Sequence, residues 1–113
     1  MGRDEATLID IANAAHLALD FSAGLTKDEF LGDLKTQSAV LHQLMVLGEA
    51  VKRLSVDFRA RHSEIPWLLI AGMRNQLIHS YDAVDLDEVW RTLKKDMPDL
   101  LAGIAQILPS DGK

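Results

Sequence analysis

Apolar residues recur at helical spacing along most of the chain. Leu8, Ile11, Ala12, Ala15 and Leu19 follow the i, i+3, i+4, i+7 pattern of one face of an amphipathic helix. Gly24 tolerates the left-handed C′ position, so this helix is predicted to end near Ala23. Thr26-Lys27-Asp28-Glu29 has capping-box form and predicts a short second helix ending around Gly32 or Asp33. A longer helix is expected from Thr36 to Leu54, with Val40, Leu41, Leu44, Leu47, Gly48, Val51 and Leu54 on one stripe. Glycine costs up to about 1 kcal/mol against alanine inside a helix. Close approach of another helix at Gly48 is the expected compensation.

Ser55 to Ser63 is expected to be a connector with one helical turn. Pro66 suits the first position of the next helix, where a missing amide costs nothing. That helix carries Trp67, Ile70, Ala71 and Arg74 and is expected to run into Asn75, Leu77 and Ile78. Asp85 is placed as the N-cap of the last helix, with Glu88 at its third position. Its apolar face runs from Leu86, Val89, Trp90 and Leu93 through Met97, Leu100, Leu101, Ile104 and Ile107, with a kink expected at Pro98. There is no β-alternation, internal repeat or low-complexity tract. The fold class that follows is all-α, a four- to five-helix up-and-down bundle. One domain is expected over residues 1–113, with 108–113 as a flexible tail. Trp67, Met73 and Trp90, inside apolar helical segments, are candidates for the core or a dimer interface.

Composition narrows the chemistry. The chain has no cysteine, which excludes disulfides, thiolate metal sites and cysteine nucleophiles. Hydrophobic residues make up 48% of it, yet no run approaches a membrane span and no basic-then-apolar leader opens it, so a soluble cytoplasmic protein is expected. A net charge of -5 argues against a nucleic-acid coat but leaves room for an enzyme that meets RNA through a local basic patch. Lys52, Arg53, Arg59 and Arg61, with only Asp57 among them, form such a stretch, and Lys52 and Arg53 are candidate RNA contacts. The same stretch is also what a solvated face looks like. His16, His42 and His62 are scattered, and neither a metal site nor a cofactor is expected. Asp82, Asp85, Asp87 and Glu88 are explained by helix capping, although they could also meet a basic partner surface.

The chemistry-bearing residues concentrate in Arg74-Asn75-Gln76-Leu77-Ile78-His79-Ser80-Tyr81. A guanidinium grips phosphate through paired donors and keeps its charge. A histidine takes and gives protons near neutrality. At about 100° per residue, Arg74 and His79 would lie roughly 140° apart on a regular helix. They are poor partners within one helix, whereas Asn75 and His79, four apart, share a face. Two routes bring arginine and histidine to one phosphate. The helix ends near Ile78 and frees His79, or a second subunit completes the site across a twofold interface. Spacing alone leaves both open, as it does a third reading, a surface cation and a helix-end dipole partner.

Arg74, four intervening residues, His79, one residue and Tyr81 match the arginine-X4-histidine-X-tyrosine signature of the HEPN superfamily. Lys35-Thr36-Gln37, Gly48 to Leu54, Ile65-Pro66-Trp67, Ile70 to Asn75, Val84-Asp85 and Val89-Trp90 resemble its HepT-like toxin branch, over roughly residues 5 to 107. The resemblance implies a HEPN-like helical bundle that forms a homodimer, with two signatures lining a shared cleft. It implies a metal-independent endoribonuclease, the toxin of a toxin–antitoxin pair. Arg74 and His79 would be catalytic, with Asn75 in support. The implied partner is a minimal nucleotidyltransferase antitoxin that AMPylates Tyr81, in a homodimer or a higher assembly with that antitoxin. The competing class is a non-catalytic HEPN dimer serving as a binding or partner subunit of a nucleotidyltransferase.

Overall fold

A computed structural model describes residues 2–80 and 83–108, without the side chains of residues 74, 76, 78–80 and 83. The first apolar stripe forms α1 (Arg3–Ser22), which buries Leu8, Ile11, Ala14, Ala15 and Ala18. Ala23 is extended and Gly24 has φ 80, while the Leu25 amide donates to the Ser22 carbonyl at 3.2 Å. Gly24 thus takes the positive-φ position just past the Ala23 cap, as expected, and is at the same time the third residue of a type II turn. The capping box forms as its residues dictate. The Glu29 amide donates to Thr26 Oγ1 at 3.1 Å and the Thr26 amide to Glu29 Oε1 at 2.9 Å, opening α2 (Lys27–Leu31).

The next helix, α3 (Leu34–Lys52), begins before Thr36 because Asp33 caps it, accepting the Thr36 amide at 3.0 Å. Buried Gln37 donates its Nε2 to the carbonyls of Phe30 and Leu31, both at 3.0 Å. One side chain thus satisfies two carbonyls at the end of α2 and ties α2 to α3. Ser55 caps α4 (Val56–Arg61), and its amide and hydroxyl also donate to the Asp4 carboxylate, at 2.8 and 2.7 Å. The end of α3 therefore lies beside the start of α1, so the two long helices are antiparallel.

The expected helix after Pro66 is interrupted. Pro66 is its cap and not its first residue; α5 (Trp67–Ala71) stops at Gly72, and α6 (Met73–Leu77) follows. Ile78 leaves the helix. Ile78–Ser80 forms β1, paired antiparallel with β2 (Ala83–Val84) in a two-stranded ribbon that the helical patterning did not anticipate. Two β-branched residues, Ile78 and Val84, pair across it, which suits a strand better than a helix end.

Asp85 caps α7 (Leu86–Arg91), accepting the Glu88 amide at 3.1 Å. A π-helical segment, Thr92–Asp96, connects α7 to α8 (Met97–Ile107). Pro98 lacks the amide that would reach back one turn, and its ring crowds that turn. The wider π turn, with the Met97 amide on the Thr92 carbonyl, lies where the kink was expected. Fully buried Val89, Leu93, Met97 and Phe30 pack with Leu8, Ile11, Val40, Leu47 and Val51 in one core. Trp67 and Met73 are buried in it, while half-buried Trp90 lies against Phe30 at 5.5 Å, under the Lys94 ammonium at 4.4 Å. At the C-terminal end Leu108, the first residue of the expected tail, packs against this core; residues 109–113 lie outside the described residues.

Candidate active site

Gly48 decides how close the signature-bearing segment comes to α3. A Cβ there would sit 3.4 Å from the Ile70 carbonyl oxygen and 3.5 Å from that of Ala71. Any larger side chain would push α5 away. Beside this contact runs a groove of about 390 Å³, lined by Met45, Gly48, Glu49 and Lys52 of α3, Ala71 of α5 and Asn75 of α6. Asn75 is exposed on that wall. Lys52 Nζ lies 3.0 Å from Glu49 Oε2, with both side chains more than half exposed. Such a pair is worth little in water. Lys52 can therefore exchange it for a phosphate at small cost.

The helix carrying Arg74 ends at Leu77, whose carbonyl accepts the Asp85 amide at 2.8 Å. Ile78 and Val84 close the base of the ribbon, and the His79 backbone belongs to β1. The separation of roughly 140° expected on a continuous helix therefore does not apply. The helix ends one residue before Ile78, the condition that the first route needs; the second route, completion by another subunit, is compatible with the same backbone. The side chains of Arg74 and His79 lie outside the described residues, and Tyr81 and Asp82 lie outside them altogether.

The family model for HepT-like ribonucleases matches residues 11–107. The chain belongs to the HepT-like ribonuclease family. By family, it is an endoribonuclease. A relative from Thermococcus cleftensis, named "Probable ribonuclease HepT", is 45% identical over 93 residues, covering 82% of this chain and 84% of the relative. One from Caldanaerobacter subterraneus subsp. tengcongensis, named "Putative RNase", is 39% identical over 78% of this chain and 79% of its own length. A "Putative RNase" of Methanocaldococcus jannaschii is 38% identical over 91% and 85%. No solved structure matches the chain.

The basic stretch of this HepT-like ribonuclease does not stay together. Lys52 enters the groove, whereas Arg53 turns to Asp10 of α1 at 3.9 Å and is not among the lining residues. The Arg61 guanidinium lies 5.9 Å over the Phe58 ring, and Arg59 faces a different groove. Met45 and Glu49 were not singled out by motif. They could have been, since Met45, Gly48, Glu49 and Lys52 stand at i, i+3, i+4 and i+7 beside the core stripe. Of the acidic residues, Asp85 caps α7, Asp87 meets Lys27 at 3.0 Å and Glu88 meets Arg91 at 3.1 Å.

His16 and His42 are exposed, and His62 packs on Phe58 at 4.6 Å. Among the described residues no group of three or more His, Asp or Glu is placed to hold a metal ion, and no helix is long and apolar enough to cross a membrane. Asp4 and Asp33 are held below the ordinary carboxylate range, first by the hydroxyls of Ser55 and Thr36 respectively, and neither lines the groove.

Proposed function

We propose that this HepT-like ribonuclease is the toxin of a toxin–antitoxin pair and cleaves RNA without a metal ion, using the substrate's 2′-hydroxyl as nucleophile. The observation that carries this reading is the end of α6 at Leu77. It leaves the backbone of Arg74 on a helix, next in sequence to Asn75 of the groove that Lys52 also lines, and the backbone of His79 on a separate ribbon. The 2′-oxygen attacks the adjacent phosphorus and the bond to the 5′-oxygen breaks. His79 takes the 2′-hydroxyl proton or gives one to the departing 5′-oxygen, the two tasks divided between the two histidines of a homodimer with a shared cleft. Arg74 holds the scissile phosphate and stabilises the charge of the pentacoordinate transition state. Asn75 orients His79 or donates to a phosphate oxygen, and Lys52 meets a neighbouring phosphate; Arg53, turned to Asp10, contributes less. The products are a 2′,3′-cyclic phosphate and a 5′-hydroxyl.

Tyr81 is the regulatory residue in this reading. A minimal nucleotidyltransferase antitoxin attaches AMP to its hydroxyl, two residues past His79. The added bulk and negative charge then exclude RNA. Such a pair would work in the cytoplasm, where its RNA is.

The test is cleavage of a defined RNA by purified wild type, Arg74→Ala and His79→Ala, with analysis of the product ends. Loss of a general acid or base costs about 10²- to 10⁴-fold. Undiminished cleavage by His79→Ala would remove the mechanism. If expression without the antitoxin is tolerated equally for wild type and His79→Ala, the non-catalytic partner subunit is the better reading. Coexpression with the nucleotidyltransferase should add one adenylyl mass at Tyr81; silencing without that mass would mean inhibition by complex formation alone.

A further inference from the structure

The groove beside Asn75 is built from more than a phosphate contact requires. Met45, Glu49 and Lys52 stand at i, i+4 and i+7 on α3, so they form one row about 10 Å long. Met45 opens the row, 37% exposed although apolar, and Lys52 closes it. Gly48 and Ala71 line the groove without bulk, held together by the approach of Gly48 to the Ile70 and Ala71 carbonyls. At about 390 Å³ the space is within the range of a pocket for one small ligand. Asn75 lines it from α6, next in sequence to Arg74.

A surface that only tracks phosphates repeats Lys and Arg. This row instead places a thioether and a carboxylate before its single ammonium. A carboxylate repels RNA phosphates, so its place in the groove calls for a donor that it can accept. In single-stranded RNA such donors lie on the Watson–Crick edges of the bases. Guanine alone offers two adjacent donors, N1–H and N2–H, which match the two oxygens of one carboxylate. Adenine and cytosine set a ring-nitrogen acceptor beside the amino group, and uracil flanks its one N–H with two carbonyls. An ionised carboxylate only accepts, so these three edges suit it less. Glu49 Oε2 lies on Lys52 Nζ at 3.0 Å, through side chains more than half exposed, and such a pair opens at small cost. Opening it frees both oxygens for a base and the ammonium for a phosphate.

We infer that the groove is a guanine subsite, in which Glu49 accepts the N1–H and N2–H of a guanine adjoining the scissile phosphate. Met45 packs its thioether on the purine ring, a favourable sulfur–aromatic contact. The bare surface at Gly48 and Ala71 leaves room for that ring, and Lys52 meets the phosphate of the same nucleotide. Glu49 therefore selects the base and takes no part in proton transfer. The assignment rests on the nuclease reading above, with Arg74 at the bond that breaks.

Cleavage of short unstructured RNAs that vary the base on each side of the cut tests it, with thermal melts recorded for every variant. Wild type should prefer guanine on one fixed side of the broken bond by roughly tenfold or more in kcat/KM, the discrimination that one bidentate pair gives. Inosine lacks the N2 amino group and should be cleaved more slowly there, whereas 7-deazaguanine keeps its Watson–Crick edge and should be cleaved like guanine. Glu49→Gln presents one donor and one acceptor, and should lose the guanine preference in favour of adenine or cytosine. Lys52→Ala should slow every sequence alike. A wild type that cleaves without a guanine preference, or a Glu49→Gln protein slowed equally on all sequences, overturns the subsite and leaves the nuclease reading standing. A wild type that cleaves none of them overturns both.

Discussion

Gly48 offers the sharpest test of how the fold builds the site. Replacing it with alanine adds a Cβ at 3.4 and 3.5 Å from two backbone carbonyl oxygens, which is ordinary contact. The helix gains up to about 1 kcal/mol of propensity. Gly48→Ala should therefore melt within a few degrees of wild type, or slightly above it. Gly48→Leu adds three further carbons toward carbonyls that belong to backbone and cannot rotate away. Overpacking of this kind costs roughly 1–3 kcal/mol. At about 4 to 8 °C per kcal/mol for a domain near this size, the melting temperature should fall by roughly 5–20 °C. RNA cleavage should fall further than stability does, because Ala71 and Asn75 are carried away from Lys52 as α5 and α6 shift. Circular dichroism melts give the first quantity and kcat/KM at a temperature where both variants stay folded gives the second. A Gly48→Leu protein that melts and cleaves like wild type would show that the close approach has no role in placing the site. Equal damage from alanine and leucine would refute the distance argument.

Other outcomes follow from the same geometry. Lys52→Ala should raise KM more than it lowers kcat and reduce the salt dependence of RNA binding by about one phosphate contact, measured by binding titrations at several salt concentrations; an unchanged slope would place Lys52 off the RNA path. Leu93→Ala, at a fully buried position in the π segment, should cost about 2–5 kcal/mol in urea unfolding. Ser55 holds the Asp4 carboxyl below its ordinary range, so the stabilisation is present above about pH 4 and is lost as pH falls through the lowered value. Asp4→Asn should therefore be less stable than wild type at pH 7, with the gap closing toward pH 3 in melts; a gap independent of pH would assign the effect to packing.

Much of the architecture was legible because helical rules are local. Apolar spacing, the Thr26–Glu29 box and the Asp85 cap depend on residues within one or two turns of each other, and these appear as expected. Even the compensation at Gly48 was legible in outline, since a glycine inside a helix calls for a close neighbour. The ribbon was not. A three-residue strand beside a two-residue strand has too few positions to show alternation, and Ile78 satisfies a helical stripe as readily as a strand. The signature's composition could be read directly, but the end of α6 at Leu77, which separates Arg74 from His79, depends on the Asp85 amide and on Val84, seven or eight residues downstream.

By itself, then, the sequence determined the helical class, the family and which residue types stand ready for phosphate chemistry, because periodicity, caps and motif spacing are written along the chain. Only tertiary structure decided which of those residues share a surface. Lys52 and Arg53 are adjacent in sequence, yet neighbouring positions on a helix point about 100° apart. One lines the groove beside Asn75, and the other turns to Asp10 of α1.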